Sequence, residues 1–397
     1  MFGRQFIGVL VALLMAGLLA RQPVLTTVCA LALLPLGMSH LWRRWALRAV
    51  SYERSLSDSR VFPGSVVTMS TRVVNRKLLP LSRLDISDSI PDGIEVVGSR
   101  LLPAGKPGRK ALARAFSLGW YEALDRRYEL RCPGRGLYRF GPVRLGAGDP
   151  FGFWHDEAEQ AVESRLLVYP RLLPAAELGF EMRQLLGFIQ ARQRLVVDPA
   201  RTVGARDYHR DDPLKSIHWN ATARRGELQT RVYEPVTALQ VWCLLDISTF
   251  EQTYMGVDRA QAERLISLAA TLCQALIAQN HSVGLATNAA AAEGGAPVHL
   301  PPSRSPQQGS RILGALAQLT PYAGPPISRT ITLLQSALPM GTTVVLISAI
   351  DTEPTRAALL RIRRAGYPVV WLAQTRERPR LAGVTVLHSP APPGDDA

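Results

Sequence analysis

Two uncharged apolar runs at the head of the chain constrain it more than anything that follows. Residues 6–20 read FIGVLVALLMAGLLA and residues 24–41 read VLTTVCALALLPLGMSHL, with Arg21-Gln22-Pro23 between them. A bilayer core about 30 Å thick takes roughly 20 helical residues, so the second run is adequate. The first is short, but Gly3 and a snorkelling Arg4 extend it. Backbone groups in lipid have to bond within their own segment, which makes helix the natural state. The pair predicts a transmembrane helical hairpin over residues 1–48. Arg4 precedes the first run, Arg43, Arg44 and Arg48 follow the second, and only Arg21 sits in the turn. The positive-inside rule then places both ends, and the bulk of the chain, in the cytoplasm. The rival is a signal peptide ending near Ala20. Leu18 is a poor residue three positions before such a cut, and another apolar run follows at once.

The 397 residues are 47% hydrophobic and 20% charged, which excludes wholesale disorder and fibrous repeats and suits two or three domains. The formal charge of +14 is almost all arginine, since only Lys77, Lys106, Lys110 and Lys215 are lysines. The arginines are spread along the chain rather than clustered, so no nucleic-acid footprint is expected. Cys29, Cys132, Cys243 and Cys273 show no paired spacing. That argues against a disulfide framework or a zinc site and fits a reducing compartment.

From Tyr52 onward the pattern has period two. Residues 66–74, 84–87 and 94–97 read as strands, punctuated by Gly64, Asn75, Pro80, Pro91-Asp92-Gly93 and Pro107-Gly108. Residues 128–131 and 136–145 look like a hairpin around Cys132-Pro133-Gly134. Short strands at regular spacing predict an antiparallel β-sandwich of immunoglobulin type over residues 52–170, a spacer or docking domain with no chemistry of its own. The stretch Asp149-Pro150-Phe151-Gly152-Phe153-Trp154 reads as a core-closing corner in preference to a recognition loop. Pro174 suits the start of a helix over residues 175–195, with Leu178, Met182, Leu185, Leu186 and Ile189 on one side. Residues 171–236 are read as a linker.

Residues 237–390 alternate between apolar strands (239–247, 282–286, 342–348, 368–373, 384–388) and helices (258–279, 310–319, 354–365), with a loop of small residues at 289–301. This predicts a parallel sheet covered on both faces. Ligands on such sheets bind beyond the carboxyl ends of the strands, where Asp246 and Asp351 fall. There is no phosphate-binding GxxxxGK[ST] loop and no GxGxxG after a strand. Ser248 and Thr249 lack a His/Asp set for nucleophilic catalysis, so the chain is not read as an enzyme. Residues 391–397 are predicted to be a disordered tail.

The densest chemistry lies at residues 204–228, GARDYHRDDPLKSIHWNATARRGEL. Arginine–carboxylate pairs can lock a loop, and a tryptophan can cover a guanidinium plane. An ionic lock is therefore preferred, and a partner-docking surface is compatible with it. The alternative is a metal-dependent hydrolase using His209, Asp211, Asp212 and His218. Against it, no third histidine lies nearby, and Asp211-Asp212-Pro213 also reads as a turn entering a helix.

Arg206-x-Tyr208, Asp212, Lys215-x-Ile217-x-Trp219 and Thr222-Ala223-Arg224 resemble the signature of the bacterial "domain of unknown function 58" proteins, R-x-Y-x-x-G-D-x-x-R-x-I-x-W-x-x-S-A-R. The chain departs from it at Asp211 (glycine), Lys215 (arginine) and Thr222 (serine). The leading apolar runs, Gly136-x-Tyr138-x-Phe140-Gly141-Pro142 and Asp149-Pro150-Phe151-Gly152 fit the same layout. The resemblance implies a multi-pass protein of the bacterial inner membrane with a C-terminal domain similar to von Willebrand factor type A. It implies as partners a MoxR-type AAA ATPase and a transglutaminase-like membrane protein, and a role as adaptor in assembly or maturation of envelope proteins. In type A domains, D-x-S-x-S at the end of the first strand holds Mg²⁺. Here Asp246 and Ser248 match, Phe250 replaces the second serine, and Ala349 stands where an aspartate is expected, with Asp351 two residues on as a substitute. The implied adhesion-type site is degenerate; Mg²⁺ is its candidate ion, and no other cofactor is expected. On this reading Arg206, Tyr208, Asp212, Trp219 and Arg224 brace the linker. Truncating a buried Trp219 would then cost on the order of 3–5 kcal/mol.

Overall fold

Alternation along residues 66–75 shows how the first half of the chain builds its core. Val67, Met69, Thr71, Val73 and Asn75 are buried and their neighbours face outward, the period-two pattern of a strand with one face on a core. The computed structural model describes residues 4–149, 154–193, 197–235, 240–252, 255–292, 295–375 and 377–389. The expected tail at 391–397 lies outside them. The chain is a mixture of helices and several sheets, divided into two units, Met1–Val168 and Tyr169–Ala397.

The first unit begins with α1 (Arg4–Leu19) and α2 (Pro23–Ala46). By length and composition α2 is able to cross a membrane, whereas α1 is a shorter apolar helix. Pro23 opens α2, where a missing N–H costs nothing. Gly17 lets the helices close on each other: a Cβ there would meet Thr26 and Leu25 at 3.1–3.2 Å. Val9, Met15, Leu18, Val24, Val28, Leu31, Leu34 and Met38 remain exposed.

Twelve strands follow: β1 (Val50–Leu56), β2 (Arg60–Val61), β3 (Val66–Asn75), β4 (Leu81–Pro91), β5 (Glu95–Val96), β6 (Leu102–Pro103), β7 (Arg109–Leu118), β8 (Ala123–Arg131), β9 (Gly136–Phe140), β10 (Val143–Gly148), β11 (His155–Gln160) and β12 (Ser164–Val168). They form sheets ordered β1-β3-β8-β5, β11-β10-β4-β7-β6 and β2-β12-β9. Val50, Tyr52 and Val73 of the first sheet pack with Leu84, Ile86, Leu118 and Val143 of the second. The expected hairpin around Cys132-Pro133-Gly134 does not form. β8 pairs with β3 and β5, β9 with β12, and β10 with β4 and β11. Gly141, at φ 88°, splits the 136–145 segment between two sheets, and a Cβ there would collide with the carbonyl of Val162.

Three polar ties join α2 to this sandwich. The Ser39 hydroxyl donates to Asp149 Oδ2 (2.7 Å), and the Trp154 indole donates to the Ser39 carbonyl (2.7 Å). Lys77 Nζ donates to the carbonyls of Ala46 and Arg48 at the helix end (2.5 and 2.8 Å). Asp149 and Trp154 thus seat the helix; the residues between them lie outside the described ones.

In the second unit the helix expected over 175–195 starts late. Ala175–Glu177 is a 3-10 turn, Gly179 turns left-handed at φ 73°, and α3 runs Met182–Gln193. The segment read as a linker contains a two-stranded antiparallel ribbon, β13 (Val197–Asp207) with β14 (Gln229–Pro235). The short α4 (Trp219–Arg225) lies in the excursion between them. After it come β15 (Gln240–Leu245), α5 (Arg259–Ala278), β16 (Ser282–Ala291), β17 (Pro297–Ser303), α6 (Gln308–Ala317), β18 (Leu319–Ala323), α7 (Ile327–Gln335), β19 (Thr343–Ser348), α8 (Glu353–Arg364), β20 (Val369–Ala373) and β21 (Thr385–His388).

The sheet order is β17-β16-β15-β19-β20-β21, parallel from β16 to β21, with β17 and β18 antiparallel to β16. Side chains of β15, β19 and β20 are buried on both faces. Ile327, Ile331 and Leu334 of α7 and Leu359 and Ile362 of α8 pack on Trp242, Leu244, Leu346 and Trp371. Part of the expected 289–301 loop is strand, and its prolines suit the sheet edge that β17 occupies.

Candidate functional site

The signature excursion is built on the register of the ribbon. Arg206 faces Thr230 and Asp207 faces Gln229 across the two strands. This brings the ends of residues 208–228 together, and Asp212 becomes their hub. Its Oδ1 accepts from the Arg206 guanidinium (2.5 Å), and its Oδ2 accepts from the His209 N–H (3.0 Å) and the Thr230 hydroxyl (3.2 Å). The Arg206 bond, then the His209 N–H, hold the Asp212 carboxyl below the usual carboxylate range. Gln229 is fully buried; it donates to Asp207 (2.7 Å) and its N–H donates to Thr222 Oγ1 (3.0 Å). His218 caps α4 by accepting the Ala221 N–H on Nδ1 (3.2 Å), and Gly226 closes the helix left-handed at φ 75°. Ile217 is the buried apolar residue of the signature, tied into the ribbon by a bridge to Thr230.

Trp219 is 65% exposed and therefore does not brace this excursion. It is the first residue of α4, whose short length buries none of its residues, so the indole has no core to enter. Leu214, in the preceding 3-10 turn, is 72% exposed. Lys215 and Arg224 are also exposed, and Tyr208 is half-buried. The hydrolase alternative is not assembled. Asp212 is committed to Arg206, His218 to its cap, and among the described residues no three of His, Cys, Asp and Glu converge as metal ligands.

The second place is the carboxyl edge of the parallel sheet. β15 lies between β16 and β19, so Asp246 after β15 neighbours Asn288 on β16 and the end of β19. The Asp246 N–H donates to the Ile347 carbonyl (2.9 Å). Asn288 Oδ1 accepts from the Ile247 N–H (3.0 Å), which fixes the orientation of the amide. Its Nδ2 then donates to Asp246 Oδ1 (2.7 Å) and Ser248 Oγ (3.0 Å), and the Ser248 N–H adds a second donor to Asp246 Oδ1 (2.9 Å). Burial pushes the Asp246 carboxyl above the usual carboxylate range, against the pull of Ser248 and Asn288. Asp351 is turned instead to Arg356, with bonds of 2.6 and 2.5 Å. Ser348 Oγ accepts from the Trp371 indole (2.8 Å).

This donor set does not fit Mg²⁺. The NH₂ group of Asn288 stands between the two oxygens expected to face a cation, and the third ligand is held by a guanidinium. Asn288 escaped the sequence reading. The available signal was a polar residue closing the run of small and apolar residues 283–287, beside Asp246 in the sheet.

Comparison with known proteins agrees with the signature. The uncharacterized protein YeaD of Bacillus subtilis (strain 168) is 23% identical over 244 residues, covering 61% of this chain and 57% of that protein. The chain thus spans little more than half the length of this relative. Two solved structures are similar in part: the CARDB domain of a Pyrococcus furiosus protein in complex with di-metal ions, and a non-cellulosomal cohesin from Archaeoglobus fulgidus. Each covers 30% of this chain and 91% of the other, at 12% identity with TM-score 0.21 and 10% with 0.20. Scores that low carry no argument about fold. The residues that hold both the Asp212 hub and the Asp246 edge, 204–390, match the family described as "Protein of unknown function DUF58".

Proposed function

We propose that the chain is a membrane-anchored adaptor that binds a partner protein through the signature excursion. The carrying observation is the contrast within that excursion. Arg206, Asp212, His218 and Gln229 are spent on internal bonds, while Trp219 at 65% exposure and Leu214 at 72% are left in solvent. An aromatic and an aliphatic side chain held on a hydrogen-bonded scaffold are the kind of anchors that dominate protein interfaces. Exposed Lys215 and Arg224 would complement an acidic rim.

α1 and α2 form the anchor as a multi-pass hairpin in a bacterial inner membrane, with the bulk of the chain cytoplasmic, as the flanking arginines favour. The α/β domain is read as type-A-like in topology, without the cation. The partner implied by the family resemblance is a MoxR-type AAA ATPase, in assembly or maturation of envelope proteins, with a transglutaminase-like membrane protein in the same system.

A photo-crosslinking amino acid at position 219 of the full chain in native membranes tests this. It should capture a MoxR-type ATPase, and Leu214→Ala should weaken the capture. Crosslinks to lipid alone, or to no protein, would remove the docking role.

A further inference from the structure

We propose that two loops of the sandwich, around Leu78 and around Trp120-Tyr121, form a second membrane contact that sits in the lipid headgroup layer beside the end of α2. The inference rests on α2 crossing the bilayer. At 1.5 Å per residue its 24 residues run about 36 Å, some 6 Å beyond a core of about 30 Å. The last turn, with exposed Trp45, therefore lies among headgroups.

The first loop is bonded to that end, and the second is bonded to the first. Lys77 Nζ donates to the Ala46 and Arg48 carbonyls, and the Arg76 N–H donates to Ala49 (2.9 Å). The Tyr121 N–H donates to the Lys77 carbonyl (3.2 Å). The Asn75 side chain donates to Leu79 and Gly119 (2.9 and 2.7 Å), locking one loop to the other. From this frame Leu78, Trp120 and Tyr121 project with 69%, 69% and 66% exposure, unusual for large apolar side chains on so constrained a support. Tyr121 is held at φ 49°, a conformation rare outside glycine.

Trp and Tyr are the side chains that prefer the membrane–water boundary. Exposed Arg44 in the last turn of α2, Arg48 just after it and Arg76 two residues before Leu78 supply charge suited to lipid phosphates. The carboxylate at this place, Glu122, accepts from the Gly119 N–H. Continuity with the apolar helix favours lipid over a protein as the occupant. The contact would add a second support to the Ser39–Asp149 seat and hold the sandwich against the bilayer.

The test uses the full chain in nanodiscs of phosphatidylethanolamine and phosphatidylglycerol. Single Leu78→Cys, Trp120→Cys and Leu31→Cys variants carry an environment-sensitive fluorophore; the four native cysteines are buried, which directs labelling to the introduced one. Labels at 78 and 120 should emit blue-shifted, resist quenching by aqueous iodide and be quenched by headgroup spin-labelled lipid. The label at 31 should be quenched by lipid spin-labelled deep in the chain. Iodide-quenched labels at both 78 and 120 overturn the proposal. Shielding from iodide without quenching by lipid also overturns it, in favour of a contact between protein copies. In either case the label at 31 shows whether the anchor reading survives, because it reports on α2 alone.

Discussion

The amide nitrogen of Asn288 lies 2.7 Å from Oδ1 of Asp246, with the asparagine fully buried and the aspartate 2% exposed. The Asn288 and Ser248 donors favour the charged carboxylate, but burial outweighs them and raises its pKa. The folded state therefore keeps the proton to a higher pH than the unfolded chain, whose carboxyl titrates near the ordinary value of about 4. The resulting stability is fully present below that ordinary value and is lost as pH rises through the folded one. Exchange protection of the β15 amides, corrected for intrinsic rates, should rise as pH falls from neutral toward about 4.5. Asp246→Asn, the uncharged isostere, should flatten that dependence. An unchanged slope in the variant would mean that another group titrates.

Trp219 and Ile217 are two residues apart and should behave in opposite ways. Trp219→Ala removes an exposed side chain and should change stability by less than about 0.5 kcal/mol, while weakening partner capture by roughly 2 kcal/mol if it is a hot spot. Ile217→Ala empties a buried site beside the Thr230 bridge and should cost about 2–4 kcal/mol. Thermal unfolding of the full chain in detergent, run beside a binding assay, separates the two. A large drop in melting temperature for Trp219→Ala would restore the bracing role.

What could be read ahead of the structure followed local physics. The alternation at 66–74 and the apolar strands at 342–348 and 368–373 depend on one chain segment and one face or two. Long-range geometry was not legible in that way. The 136–145 stretch has the composition of a single strand, and only the close passage of Val162 against Gly141 divides it between two sheets. Pro297, Pro301 and Pro302 hid an edge strand, because a run with three prolines reads as loop until its unpaired side is known. Trp219 illustrates the limit at the site. The pattern placing Arg206 six residues before Asp212 is visible in the sequence, but whether a tryptophan beside such a pair covers it or faces solvent depends on how many turns α4 has. Asn288 could not be assigned from spacing, since its meeting with Asp246 depends on the register of β16 against β15.

Asp212 should behave opposite to Asp246 in its pH response. Its carboxyl is held below the usual range by Arg206, so the order it confers is present above the ordinary carboxylate pKa and is lost as pH falls through the lower folded value. Side-chain chemical shifts of Arg206 and Thr230, the two side chains bonded to Asp212, should stay constant in the labelled full chain down to about pH 4 and move together below it. Asp212→Asn should show the acid-form shifts already at neutral pH. Independent movement of the two residues would break the idea of a single hub.

The buried pair in the sandwich gives the largest expected effect. Arg54 and Asp88 have side chains 0% and 2% exposed and pair at 2.5 Å. Arg54 also donates to the Val162 carbonyl (2.7 Å) and Ser164 Oγ (3.2 Å) and lies over the Phe140 ring, while Asp88 accepts from the Tyr52 hydroxyl (2.8 Å). One guanidinium thus links β1, β4 and β12 across three sheets. Arg54→Met would leave the Asp88 charge buried beside an apolar side chain, a loss of about 3–5 kcal/mol. Adding Asp88→Leu removes that charge and should recover a substantial part of the loss, because hydrophobic replacement of both partners is often near neutral. Urea unfolding of the full chain, followed by exchange in β3 and β4, measures both variants. A double variant no more stable than Arg54→Met would show that the hydrogen bonds to Val162 and Ser164, more than the ion pair, hold the sheets together.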